Sequence, residues 1–318
     1  TILMVVALLL AGGMSLLLGG GHYLVTHAVK LATALNVPPL VIGLTIVAFG
    51  TSAPELVISL DAVLTGHDDI VIGNIIGSNI ANLLLVLAVS ALIFPIRVER
   101  PVIGREGAIL VMASLLFGLL AGNGRVSFID GVLLLVCLGA YSAFAFLVPS
   151  HGTAGPASGR PSGEPLRITG YRGPLPDLVM IALALCALAL GSHLFVDGAV
   201  RLSLFLGISE AVIGLTVVAI GTAAPEIITA AVAAWHRHSD VAIGNIIGSS
   251  IFNLLGITGI TAMASPITVA PRFLGMDFGL MLAASVGVIA FGLVFGRLGR
   301  TAGAVMGLAY AGYVIQLG

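Results

Sequence analysis

The chain has 318 residues, of which 58% are hydrophobic and 8% charged, and its mean hydropathy is +1.17. Soluble domains carry about 25% charged residues, so a water-surrounded globule is excluded and the bilayer is the solvent. The formal net charge of −1 argues against nucleic acid as a partner, and the two cysteines, Cys137 and Cys186, both in apolar runs, argue against a disulfide framework.

Apolar runs of about 20 residues predict ten transmembrane helices. The first covers 2–33 and holds Gly12-Gly13 and Gly19-Gly20-Gly21, so it is expected to tilt or bend. It lacks a basic leader, and no cleavable signal peptide is expected. The next four cover 38–64, 70–94, 102–121 and 127–148. A stretch from Pro149 to Pro176, rich in Gly, Pro, Ser and Arg, reads as a loop joining two halves. The second half repeats the plan at 177–206, 209–235, 240–264, 274–295 and 301–317.

The repeat is direct. His22 to Ile96 maps onto His193 to Ile267 at a constant offset of 171 residues, without a gap. Val41–Glu55 and Val212–Glu226 agree at 12 of 15 positions, and Ile72–Leu84 and Ile243–Leu255 at 11 of 13. With the N-terminus outside, ten of the thirteen Lys and Arg residues fall on the inner side, which is the bias that sets orientation. Five spans per half make the halves insert with opposite topology and leave both termini outside. The expected fold is therefore all-α: ten helices as two inverted five-helix repeats, 1–148 and 177–318, joined by a cytoplasmic loop at 149–176. Inverted repeats with broken helices and a midplane site are a common transporter plan.

Two duplicated motifs carry the chemistry. The first is Gly50-Thr-Ser-Ala-Pro-Glu55 with its twin Gly221-Thr-Ala-Ala-Pro-Glu226. Pro54 and Pro225 lack an N–H and crowd the carbonyls of Gly50 and Gly221, so carbonyls near Ala48–Gly50 and Ala219–Gly221 are freed. Within a membrane these need partners, and a desolvated cation, which takes carbonyl, hydroxyl and carboxylate oxygens, is a suitable one. Thr51, Ser52 and Thr222 add hydroxyls; Glu55 and Glu226 add two charges, matching one Ca²⁺. An intramembrane Glu has a duller reading as half of an ion pair, but neither span holds a Lys or Arg to pair with it.

The second motif is Gly73-Asn-Ile-Ile-Gly77-Ser78, continuing to Asn82, with its twin Gly244-Asn-Ile-Ile-Gly248-Ser249 and Asn253. The glycines at i and i+4 suit close helix packing. Ser78 and Asn82 share one helix face, where the Asn82 amide oxygen either ligates a cation or makes a packing hydrogen bond. Outside the motifs, Asp61 has Val232 as its repeat partner and is expected at a mouth or helix end. His22 and His193 read as hydrogen-bonded packing residues, and Asp197 as an interhelical contact.

These duplicated motifs resemble the two alpha-repeats of the sodium/calcium exchangers, in the cation/calcium exchanger superfamily, over nearly the whole chain. The short loop resembles the prokaryotic form without a regulatory domain. The resemblance implies antiport at a prokaryotic inner membrane, with Na⁺ entry driving Ca²⁺ exit by alternating access and the glycine-rich first and sixth spans sliding as the gate. It implies a central diamond of Glu55, Asn82, Glu226 and Asn253. Thr51, Ser52, Ser78, Thr222 and Ser249 surround it, with the carbonyls of Ala48 and Ala219. Ala223 departs from the pattern by removing one hydroxyl, and Asn253 by standing where some relatives have Asp. A monomer is expected, its partners being lipid, Ca²⁺ and Na⁺, with no resident cofactor. The nearest rival is H⁺/Ca²⁺ exchange, since carboxyl groups also carry protons. A cation channel ranks lower because only two acids are present, and an intramembrane enzyme lower still because no nucleophile–base set is duplicated.

Overall fold

The computed structural model describes residues 2–148, 173–206 and 219–317. Residues 149–172 of the expected interhalf loop and the first part of the expected seventh span, at 209–218, lie outside the described residues, while the last residues of that loop already belong to a helix beginning at Pro174. Helix α1 (Ile2–Leu35) is followed by α2 (Pro39–Thr51) and α3 (Ala53–Leu64), which meet at a 44° bend. Then come α4 (Asp68–Ile93), α5 (Arg100–Ala121) and α6 (Phe128–Leu147). The second half holds α7 (Pro174–Phe205), the short α8 (Ala219–Thr222), α9 (Ala224–Trp235), α10 (Ser239–Ala264), α11 (Met276–Phe295) and α12 (Arg300–Leu317).

Seven of these helices are long and apolar enough to cross a bilayer, or eight if α2 and α3 count as one bent span. The protein is thus an all-helical membrane protein with one small departure from all-α. Two-residue strands follow or precede the spans: β1 (Ile96–Arg97), β2 (Arg125–Val126), β3 (Ile267–Thr268) and β4 (Arg297–Leu298). β1 pairs antiparallel with β4, and β2 with β3, so each ladder ties one half to the other.

Positions 171 apart repeat their local geometry. After α3 the chain closes with Thr65 N donating to Asp61 O, Gly66 N to Val63 O and His67 N to Ala62 O; after α9 the same three bonds join His236 to Val232, Arg237 to Ala234 and His238 to Ala233. This is the helix-ending turn that needs one left-handed residue. Gly66 supplies it at φ 77°, whereas Arg237 is held there at φ 62°. An acid–tyrosine pair is also duplicated, and the sequence reading missed it. Tyr141 donates to buried Glu106 at 3.2 Å, and Tyr313 donates to Asp277 at 3.1 Å, fastening α6 to α5 and α12 to α11. Glu106 is further paired with Arg105 at 2.8 Å.

The apolar interior is divided. The main core runs through α3 to α6 and α9 to α12, and includes Ile72, Ile76, Phe117, Ile247 and Leu254. A separate cluster joins α1 and α7 to α2 and α9, built on Leu17, Leu24, Leu31, Ile181 and Leu188 with Ile42, Val47 and Ala224. Those two helices have 34 and 32 residues, about 50 Å at 1.5 Å per residue, so they must cross a core of about 30 Å at a tilt. They touch at backbone level. A Cβ on Gly13 would meet Phe195 N at 2.6 Å, and one on Gly191 would meet Gly13 O at 2.9 Å. α10 is equally close to α2, where a Cβ on Gly244 would meet Leu40 O at 2.7 Å and one on Gly248 would run into Leu44 O. Small residues permit such approach, so the packing reading holds for Gly244 and Gly248. Their twins Gly73 and Gly77 meet no backbone among the described residues.

Candidate cation site

The bend between α2 and α3 falls at Ser52, two residues ahead of Pro54, which therefore sits in the first turn of α3, where it costs no hydrogen bond. Ser52 has φ −84° and ψ 7°, and its twin Ala223 has φ −81° and ψ 0°, so both copies break alike. Glu55 and Glu226 consequently lie in the first turns of α3 and α9, where the helix dipole favours negative charge. Each is 2% exposed.

Across the halves, Ser52 Oγ donates to Glu226 Oε1 at 3.0 Å. The reciprocal bond to Glu55 cannot form because Ala223 has no hydroxyl. Oε2 of Glu55, Oε2 of Glu226 and Oδ1 of Asn253 are buried acceptors without a hydrogen-bond partner among the described residues. Natural interiors rarely leave such atoms unpaired. Carboxylate and amide oxygens are the ligands a hard cation takes, so the residues present fit a cation as cargo.

The surrounding hydroxyls form a chain. Thr51 Oγ1 reaches Ala48 O at 3.2 Å, Asn245 Oδ1 at 3.1 Å and Ser249 Oγ at 3.4 Å, and Ser249 Oγ donates to Ala48 O at 3.3 Å. The Ala48 carbonyl also accepts from Ser52 N at 3.1 Å. The Gly221 carbonyl, expected to be free for a cation, is instead taken by Ser192 of α7, whose hydroxyl donates to it at 2.5 Å. Ser78 donates to Asn74 Oδ1 at 3.3 Å. Thr222 and Ala219 lie on the short α8 just before the second break. Asn82 opens a π-helical stretch, Asn82–Val86, and Asn253 lies in another, Phe252–Ile257. Such wide turns inside α-helices are frequent at functional sites.

Asn74, Asn245, Ser59 and Thr229 belong to this neighbourhood and were not singled out from the sequence. Asn74 Nδ2 donates to the Glu55 backbone carbonyl at 3.0 Å and to Ser59 Oγ at 2.8 Å, fixing the turn that carries Glu55. Its twin Asn245 has Ala230 where the first copy has Ser59, and among the described residues Asn245 Nδ2 is left without a partner, as is the buried Thr229 hydroxyl. Asn74 and Asn245 were visible as the second residue of the duplicated Gly-Asn-Ile-Ile-Gly-Ser motif. Thr229 had no signal, since its repeat partner is Ile58.

The surroundings of α3 and α9 beyond the site differ. At the C-terminal half of α3 an open cleft of about 630 Å³ is lined by Val57, Ile58, Asp61, Ala62, Thr65, His67 and Ile70. Asp61 is thus at a helix-end mouth, as expected. The twin positions on α9 and α10 are covered by α1. Val25 and Val29 of α1 pack with Val232, Ala233, Val241 and Ala242, and a Cβ on Gly21 would meet Ile228 at 2.8 Å. Among the described residues α7 gives α3 no matching cover. His22 is hydrogen-bonded, as expected, with Nδ1 3.2 Å from His236 Nε2; His193 is exposed. Asp197 corrects the expectation of an interhelical contact. It pairs at 2.8 Å with Arg201, one turn along the same helix, because both side chains face outward.

Comparison with known proteins places the chain in a family. The family profile described as sodium/calcium exchanger protein matches residues 5–147 and 177–317. The chain is 35% identical to the putative antiporter CaxA of Alkalimonas amylolytica, over 95% of each chain. It is 33% identical to the inner membrane protein YrbG of Escherichia coli K12, over 97% of this chain and 94% of that one. It is 31% identical to the sodium/calcium exchanger MaX1 of Methanosarcina acetivorans, over 98% and 97%. Among solved structures, the sodium-calcium exchanger NCX_Mj soaked without Na⁺ and Ca²⁺ superposes with a TM-score of 0.83 at 28% identity, over 99% of both chains.

Proposed function

Because the chain belongs to the sodium/calcium exchanger protein family, a family of transporters and not of enzymes, we propose that this membrane cation antiporter exchanges Na⁺ for Ca²⁺ by alternating access. Glu55 and Glu226 form the centre of its site, with Asn82, Asn253, Thr51, Ser52, Ser78, Thr222, Ser249 and the carbonyls of Ala48 and Ala219 around them. The observation that carries this reading is the set of buried, unpartnered acceptors on Glu55, Glu226 and Asn253. The choice of Na⁺ and Ca²⁺ leans on the name of MaX1, and inner-membrane placement on that of YrbG.

The mechanism follows from the two approaches. Two buried carboxylates resist enclosure while uncompensated, since isolated charge in a low dielectric is costly. A bound Ca²⁺, or Na⁺ ions in its place, cancels that charge and permits closure. In this state the α3 cleft is open and the α9 approach is sealed. The α1–α7 pair packs on α2 and α9 through a cluster separate from the main core, so its shift would cover α3 and uncover α9 by remaking that smaller cluster while the main core stays intact. In the ten-span arrangement, α8–α9 and α12 supply the seventh and tenth spans. With the N-terminus outside, the open cleft faces outward.

The test is Ca²⁺ uptake into vesicles reconstituted with the full chain, driven first by a Na⁺ gradient and then by a pH gradient. Uptake under the Na⁺ gradient is expected. Uptake under the pH gradient alone overturns the coupling ion, and single-channel currents in a planar bilayer overturn the carrier reading.

A further inference from the structure

The two histidines that meet at the sealed approach have no part in the exchange chemistry described above. His22 projects from α1, and His236 caps α9 directly after Trp235. Tyr23 and Trp235, the neighbours in sequence, are 51% and 75% exposed. Such aromatic residues mark the level of the headgroups, and both imidazoles are themselves exposed, so ions in water reach them. The Arg237 guanidinium is turned away, 5.2 Å over the Phe94 ring. The arrangement exists on one side only. The twin of His236 is Thr65, whose hydroxyl contacts His67 at 3.0 Å instead, while the twin of His22, His193, stays exposed.

We propose that His22 and His236 form a two-histidine site for a borderline divalent transition metal, Zn²⁺, Ni²⁺ or Co²⁺, that staples α1 to α9 and holds the inner approach shut. Two nitrogens on a tetrahedral zinc at 2.0–2.1 Å stand about 3.3–3.4 Å apart, and the facing nitrogens here are 3.2 Å apart. The rings are tilted by 48° with centroids 5.2 Å apart, and a turn of each ring off the hydrogen-bond line aims both lone pairs at one point. In the metal-free hydrogen bond one facing nitrogen carries a proton. On chelation that proton moves to the far nitrogen of the same ring, and water completes the tetrahedron. Imidazole ligands select against the transported ions, because Ca²⁺ takes oxygen. A ligand that binds only when the helices touch stabilises that state by mass action, so metal at ten times its Kd lowers the open-inward population about tenfold.

The direct test is equilibrium dialysis of Zn²⁺ alone against the purified full chain. One bound Zn²⁺ is expected, retained in a Glu55→Gln, Glu226→Gln double variant. Binding is expected to weaken at least tenfold in His22→Ala, in His236→Ala and in the milder His22→Gln, with the double histidine variant no worse than either single one. Unchanged affinity in the histidine variants overturns the site, and so does loss of binding only in the glutamine variant, which places the metal at the carboxylates. In vesicles, Zn²⁺ is expected to slow exchange in the natural chain and not in His22→Gln. Binding without slowing overturns the staple. The dialysis result does not depend on which ions are exchanged, so it stands or falls separately from the transport reading.

Discussion

The approach beside α3 and the approach beside α9 are built from aligned stretches of sequence, yet one is open and the other sealed. Val57, Ile58 and Asp61 face a cleft, while Val232 and Ala233, with Ile228 beside them, are covered by α1. The same inequality reaches the centre. Ser52 extends a hydroxyl to Glu226, and Ala223 has nothing to extend to Glu55. The duplicated motifs therefore encode one local geometry twice, while the docking of α1 and α7 makes the halves unequal. For an antiporter that inequality is functional, since a symmetric molecule would be open on both sides or on neither.

The largest effect is expected where the halves are equivalent. Glu55→Gln or Glu226→Gln removes one of two buried charges, and Ca²⁺ flux into vesicles is expected to vanish in both; full activity in either would remove the paired charge from the mechanism. Accessibility then measures the difference between the approaches. In a background without Cys137 and Cys186, Ile58→Cys is expected to react with a membrane-impermeant thiol reagent from outside at least ~10-fold faster than Thr229→Cys reacts from inside. A tenfold ratio corresponds to about 1.4 kcal/mol between the two states. Equal rates would erase the distinction.

Ser52→Ala makes the two copies alike by subtraction. A hydrogen bond to a charged group contributes about 1.5–3 kcal/mol, so apparent ion affinity is expected to change by roughly 10-fold or more in flux titrations. Ala223→Ser makes them alike by addition, giving Glu55 a donor, and is expected to shift the Na⁺ dependence by a smaller factor. Asp61→Asn should be mildest. It lies in an exposed mouth, where a charge acts by attracting cations at low salt. About a twofold loss of uptake rate, disappearing at high ionic strength, is expected; a loss that persists in salt would place Asp61 in the site itself.

Much of the site was legible because duplication writes it twice. Glu55 with Glu226 and the prolines that end each helix stand out as matched exceptions in apolar runs. What stayed hidden was carried by contacts between unlike positions. Ser192 occupies the carbonyl freed by Pro225, and Thr51 reaches Asn245 across 194 positions. The acid–tyrosine pairs Glu106–Tyr141 and Asp277–Tyr313 were missed because each joins residues on separate helices with no shared motif. Asp197 was misread because a helix face cannot be assigned from an isolated acid when Arg201, four residues on, satisfies it.

By itself the sequence determined the solvent, the helical breaks and the presence of two acids that must share a buried centre, because hydrophobicity, proline geometry and the cost of charge in a membrane act locally. Only the tertiary structure decided which hydroxyl reaches which carboxylate and which approach is closed. Those depend on how one tilted helix pair rests on the core, a contact between segments far apart in the chain that local sequence does not encode.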